Sequence, residues 1–287
     1  MTWLAVAKKD FRDAVQSRAL WALVGVFVLL SVLSTYAYIE VPQLFGEPGG
    51  ATFGGLVFFT VGLTSLFVPL AAIVVCYKSL AGERELGSIK LLLSLPTTRL
   101  HVYAGKTIGR AGVLAFGLAV GLIVGLGFGA VLLGTVAVVP MLLFLGATLG
   151  FAVAYASIMV GLSATTGSTT RATTLALGFF VVFELFWDVV PVALLYVVNG
   201  FALPTSMPDW IFPVMQLSPS AAYFSTVVAL LPDLAASVSA GGQAGVGMSP
   251  GEVVPFYTTP EIGIVVLVLW TLVAFLVGYT RFEATDF

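Results

Sequence analysis

The chain has 287 residues, 59% of them hydrophobic and 9% charged, with a mean hydropathy of +1.09. A soluble domain carries about 25% charged residues, so the apolar excess has to face lipid and the chain reads as an all-α, polytopic membrane protein. A single cysteine, Cys76, and a single histidine, His101, exclude internal disulfides, a multi-cysteine metal site and a histidine cluster. A net charge of −2 with no basic patch outside the loops gives no footing for nucleic acid.

Residues 2–18 predict an amphipathic helix lying in the headgroup plane. Trp3, Leu4, Ala7, Phe11, Ala14 and Val15 form its apolar face, and Lys8, Lys9, Arg12 and Asp13 its polar face. The apolar run that follows is too long for a signal h-region and lacks a small-residue cleavage pattern, so no cleavable signal peptide is expected. Span 1 is read at about 19–39 and span 2 at about 54–77. The segment 79–106 holds the densest charge. Within it Leu86, Ile89 and Leu93 fall on one helical stripe, and Pro96 ends the helix. Such a stripe can lie on lipid or fill a protein groove, and a solvated loop is the plainer alternative.

No charge occurs from Ala111 to Thr170, enough for two spans, read at about 107–133 and 138–164. Gly134-Thr135 supplies the turn between them and Pro140 suits a first helical turn. Span 5 is read as one continuous helix over 172–198. The loop 199–259 has no Lys or Arg, and Ser218-Pro219 starts a short helix reaching about Leu230. Span 6, about 261–280, is opened by Thr259-Pro260-Glu261. With the N-terminus inside, all 12 Lys and Arg fall on the cytoplasmic side. The expectation is one transmembrane domain over 1–287 with six spans and both termini cytoplasmic.

Three groups of residues invite a chemical reading. Gly105-Lys106-Thr107 ends like a phosphate-binding loop, but Leu100 stands where that motif needs glycine, so ATP hydrolysis by this chain is not expected. Lys106 is then read as a charge at the cytoplasmic mouth of span 3. Gly117, Gly121, Gly125 and Gly129 permit close helix approach, within the subunit or at a dimer seam, with Gly146, Gly150 and Ala154 as a partner face. Glu184 and Asp188, four apart in span 5, share one face. Glu184 would lie roughly 18 Å deep, where a carboxylate must be protonated, wet or cation-bound. No nucleophile–base pair or metal-ligand spacing is found.

The run Glu83-Arg84-Glu85-x-Gly87, then Leu92-Leu93, Pro96 and Arg99, followed by Gly105-Lys106, resembles the loop between spans 2 and 3 of type-2 ABC transporter permeases. The tail from Tyr279 to Phe287 and the junction from Gly161 to Ala172 resemble the same family. The layout is similar to the small permeases associated with nitrous-oxide-reductase maturation and with sodium or drug export.

The resemblance implies an exporter working as a permease dimer on two ATPase subunits. No cofactor would be bound by this chain, and ATP and Mg would sit on the partner. It implies a coupling helix in 79–106, with Glu83, Arg84, Glu85, Gly87, Leu92, Pro96 and Arg99 as coupling residues. Two alternatives stay open: a secondary transporter driven through Glu184 and Asp188, weakened by the lack of inverted repeats and of a broken helix pair, and a non-transporting scaffold.

Overall fold

The computed structural model describes residues 2–44, 51–93, 97–202, 207–232 and 259–285. Among them the regular structure is helical throughout: α1 Trp3–Val15, α2 Arg18–Leu44, α3 Phe53–Cys76, α4 Ala81–Glu85, α5 Ser88–Leu93, α6 Arg99–Leu133, α7 Val138–Ala164, α8 Thr169–Phe180, α9 Val189–Val198, α10 Ile211–Met215, α11 Pro219–Leu230 and α12 Ile262–Glu283. Five stretches, from Leu20, Phe53, Arg99, Val138 and Ile262, are long and apolar enough to cross a membrane. Residues 169–198 make a sixth only as a pair bent by 64°.

The third span begins earlier than its apolar run. The Thr98 hydroxyl accepts the His101 N–H at 3.2 Å and caps α6, which then runs for 35 residues. That is about 52 Å of helix, so the charged turns from Arg99 to Lys106 belong to α6 and extend beyond a hydrocarbon core of about 30 Å. The segment 79–106 is therefore no single loop with one short helix.

The glycine stripe of α6 packs inside the chain, against α2. A Cβ at Gly121 would come within 2.7 Å of Phe27 Cβ, and one at Gly125 within 2.5 Å of Ser31 Cβ. The Thr35 hydroxyl donates to the Gly125 carbonyl at 3.1 Å across the same seam. Gly146 and Gly150 have open space beside them, so they are not the face that receives the stripe. Gly121→Ala is expected to cost about 1–3 kcal/mol through overpacking, read as a lowered Tm in detergent, while Gly146→Ala leaves Tm unchanged. Equal tolerance of both would remove the α2–α6 seam as the cause.

The fifth span is broken. Pro191 cannot donate to the Trp187 carbonyl, and its ring opposes a continuous helix. The chain answers with a π turn at Val181–Leu185, where Phe186 N–H reaches the Val181 carbonyl at 3.0 Å, and then a bend. Glu184 sits in the π turn and Asp188 beyond the bend, ahead of α9. The two acids therefore do not share a helical face, and the broken pair absent from the sequence expectation is present.

The loop 199–259 also differs from a surface connection. Helix α11 packs between α3, α7 and α12. Its N-cap Ser218 accepts the Ala221 N–H at 3.1 Å. Tyr223 is fully buried and bonds Thr64 at 3.0 Å and Thr148 at 2.8 Å. Those threonines are the twelfth of 24 residues in α3 and the eleventh of 27 in α7. So α11 reaches the mid-depth of the bundle. Its middle crosses the start of α12 closely, where a Cβ at Gly263 would stand 2.8 Å from Ser225 Cβ. Residues 233–258 lie outside the described residues.

Candidate functional site

The charged segment folds as a hairpin of two short helices. Gly87 has φ +71°, which ends α4 and re-aims the chain into α5. This breaks the expected stripe: Leu86 is 84% exposed at the turn, whereas Ile89 is 1% exposed and joins the core. The described residues place Leu92 in α5, and Pro96 falls outside them.

The charges expected to face a partner are engaged within the chain. Glu83 pairs with Lys106 at 2.6 Å. Arg84 donates to the carbonyl of Ala164, the last residue of α7, at 2.8 Å. Glu85 accepts the Thr169 N–H at the start of α8, at 2.7 Å. Arg99 donates to the Thr285 carbonyl at 2.8 Å and to that of Glu283, which ties the C-terminal end to the start of α6. Buried Ser163 completes the clamp. Its hydroxyl accepts from Leu80 N–H at 3.2 Å and Ala81 N–H at 3.0 Å, and donates to the Tyr77 carbonyl at 2.8 Å. The hairpin is thus held on the α7–α8 junction, leaving the apolar tip at Leu86 outward.

Lys106 is more than a charge at a mouth. Its side chain is 6% exposed and lies between Glu83 and Asp10, the latter at 3.7 Å. Asp10, on the buried face of α1, also pairs with Arg110 at 3.0 Å, and Arg110 donates to the Val75 carbonyl at 3.2 Å. Helix α1 can come this close because α6 presents glycine: a Cβ at Gly105 would meet Val6 Cβ at 2.6 Å, and one at Gly109 would meet Asp10 Cβ at 2.9 Å. So α1 is docked on α6 by Val6, Ala7 and Asp10, with Lys8, Lys9 and Arg12 exposed.

Deeper in the bundle, Glu184 fastens the broken span. Its two carboxylate oxygens accept from the Tyr155 hydroxyl of α7 and the Ser220 hydroxyl of α11. Ser220 also lies 3.3 Å from the Ser65 carbonyl. That carbonyl lacks its usual intrahelical donor because Pro69 stands four residues on. Phe179, Phe183 and Trp187 stack in succession beside it, with Trp270 edge-on to Phe179 and Phe183. The Trp187 and Trp270 indoles donate to the Val214 and Leu217 carbonyls, at 3.0 and 2.8 Å, and hold the connection before α11. Asp188 is exposed.

Asp10, Tyr155, Ser163 and Ser220 were not legible as site residues. The only signal was weak in each case: Asp10 interrupts an apolar face, and the hydroxyls sit in runs where small polar residues are ordinary packing.

The family model described as "ABC-2 family transporter protein" matches residues 4–287. A probable ABC transporter permease protein NosY of Pseudomonas aeruginosa is 29% identical over 254 residues, covering 82% of this chain and 89% of that one. A probable ABC transporter permease protein NosY of Stutzerimonas stutzeri is 27% identical over 233 residues, covering 76% and 78%.

Proposed function

The chain belongs to the ABC-2 transporter family as a transmembrane permease subunit, and on that premise we propose that it is an exporter half, working as a permease dimer on two copies of a separate ATPase. ATP and Mg sit on those partner subunits. The basic end of the bundle, with α1, the α4–α5 hairpin, the α7–α8 junction and the end of α12, is the cytoplasmic end. The hairpin is the docking element. The observation that carries this is Leu86: a large apolar side chain exposed at the tip of a turn, where the neighbouring Glu83, Arg84 and Glu85 are all engaged within the chain. Such a tip fits an apolar groove in a partner.

The clamp gives docking a consequence. Movement of the hairpin is delivered through Ser163, Arg84 and Glu85 to the α7–α8 junction, and α8 leads to Glu184. Glu184 lies on the transport path, with Asp188 nearer its outer mouth. A carboxylate-driven secondary transporter gains the broken helix pair it was expected to lack, but the family match over 284 of the 287 positions (4–287) favours ATP coupling.

Leu86→Asp is expected to leave membrane insertion and Tm unchanged, because Leu86 is exposed and contributes little to the core. Co-purification of the ATPase from host membranes should fall to background, since an unpaired charge in an apolar groove costs several kcal/mol. Undiminished co-purification would show that the hairpin tip is not the docking element.

A further inference from the structure

A cavity of about 270 Å³ lies apart from the hairpin and from Glu184, between α1, α2, α3 and α6. Asp13, Ser17 and Arg110 give it a polar side, while Leu20, Val74 and Val113 give it an apolar one. Its level in the bundle follows from the helices. Ser17 and Leu20 stand at the start of α2, and Val74 two residues before the end of α3. Both mark the boundary where headgroups give way to acyl chains. Val74, at the lip, is 67% exposed, so the cavity reaches the lipid-facing surface.

The charges there are unevenly satisfied. Asp10, Glu83, Lys106 and Arg110 pair among themselves, two acids with two bases. Asp13 has no ion-pair partner among the described residues. Arg110 donates from Nη2 to Asp10 and from Nη1 to the Val75 carbonyl, with Nε 3.0 Å from Asp10, which leaves one N–H on each Nη for a ligand. Asp13 lies three residues from Asp10, so it is about 5–6 Å along the same helix face from the carboxylate that holds Arg110. A ligand that fits needs an anion for Arg110, an amine with N–H donors for Asp13 one helical turn away, and an apolar portion for Val74 and Val113.

We propose that this cavity seats one phospholipid with a primary-amine headgroup. The phosphate lies at Arg110, the two-carbon bridge spans one turn of α1, and the ammonium donates to Asp13. The acyl chains leave past Val74 into the bilayer. A choline headgroup has no N–H to donate, and a glycerol headgroup has no cation for Asp13.

The test is native mass spectrometry of the purified, delipidated permease with phosphatidylethanolamine, phosphatidylcholine or phosphatidylglycerol of identical acyl chains, and with glycerophosphoethanolamine alone. Phosphatidylethanolamine is expected to be retained one per chain and about tenfold more tightly than the others, equivalent to about 1.4 kcal/mol. Asp13→Asn should abolish the preference. Val74→Trp, which fills an exposed lip without touching the core, should abolish retention. Tm of both variants is measured alongside to confirm that they remain folded. Equal retention of the three lipids, a preference that survives Asp13→Asn, or equally tight binding of glycerophosphoethanolamine without acyl chains would each overturn the proposal.

Discussion

Asp10→Ala is expected to cost about 1–3 kcal/mol and to release α1 from the bundle. The mutation leaves Lys106, 6% exposed, beside Arg110 with the shared counter-charge gone. Glu83 still neutralises Lys106, but Arg110 keeps only the Val75 carbonyl. Removing one partner of a partly buried pair costs most of what the other cannot recover from water, and Arg110, 28% exposed, recovers only part of it. Two comparisons isolate that cause. Asp13→Ala, one turn along and exposed, should change Tm little. Asp10→Ala combined with Arg110→Met should recover much of the loss, since the orphaned cation is then removed as well. The measurement is Tm in detergent, with proteolysis near residue 16 reporting release of α1. A wild-type Tm for Asp10→Ala would show that the ion cluster is incidental to the docking of α1.

Glu184→Ala is expected to uncouple transport from ATP hydrolysis. The carboxylate joins three parts of the bundle: the π turn of the broken span, α7 through Tyr155 and α11 through Ser220. Side-chain hydrogen bonds within membranes are worth about 0.6–1.7 kcal/mol each, so losing two leaves the fold standing but frees α8 from α11. Transport should fall by about tenfold or more, equivalent to about 1.4 kcal/mol on the limiting step, while the assembled complex still hydrolyses ATP. A readout independent of substrate is the distance between spin labels at Leu175 on α8 and Phe224 on α11, in a Cys76→Ser background. That distribution should be narrow in the parent and broad in Glu184→Ala. Glu184→Gln, which keeps an acceptor, should fall between them. Asp188→Asn should match the parent because Asp188 is exposed and lies past the bend. A narrow distribution and full transport in Glu184→Ala would dismiss the fastening role.

Composition and periodicity carry information about single elements, and there the sequence was sufficient. The scarcity of charge required a membrane, and the uncharged run from Ala111 to Thr170 required two spans with a turn at Gly134, which adopts φ +64°. The run from Glu83 to Lys106 named the family. Ser218-Pro219 marked the start of α11. What the sequence could not determine is which side chains meet. The stripe of Leu86, Ile89 and Leu93 assumed a continuous helix, and one glycine at φ +71° divided it, burying Ile89 and exposing Leu86.

Span 5 was read as one continuous helix although it holds Pro191. Whether a proline kinks, breaks or is absorbed depends on its surroundings, and the residues that hold the broken span here, Tyr155 of α7, Val214 of α10 and Ser220 of α11, lie on other elements. The same holds for the charges. Glu83, Arg84 and Glu85 read only as coupling residues, on the resemblance. Their partners are Lys106, the Ala164 carbonyl and the Thr169 N–H, separated from them by 23, 80 and 84 residues, and only tertiary packing brings these together.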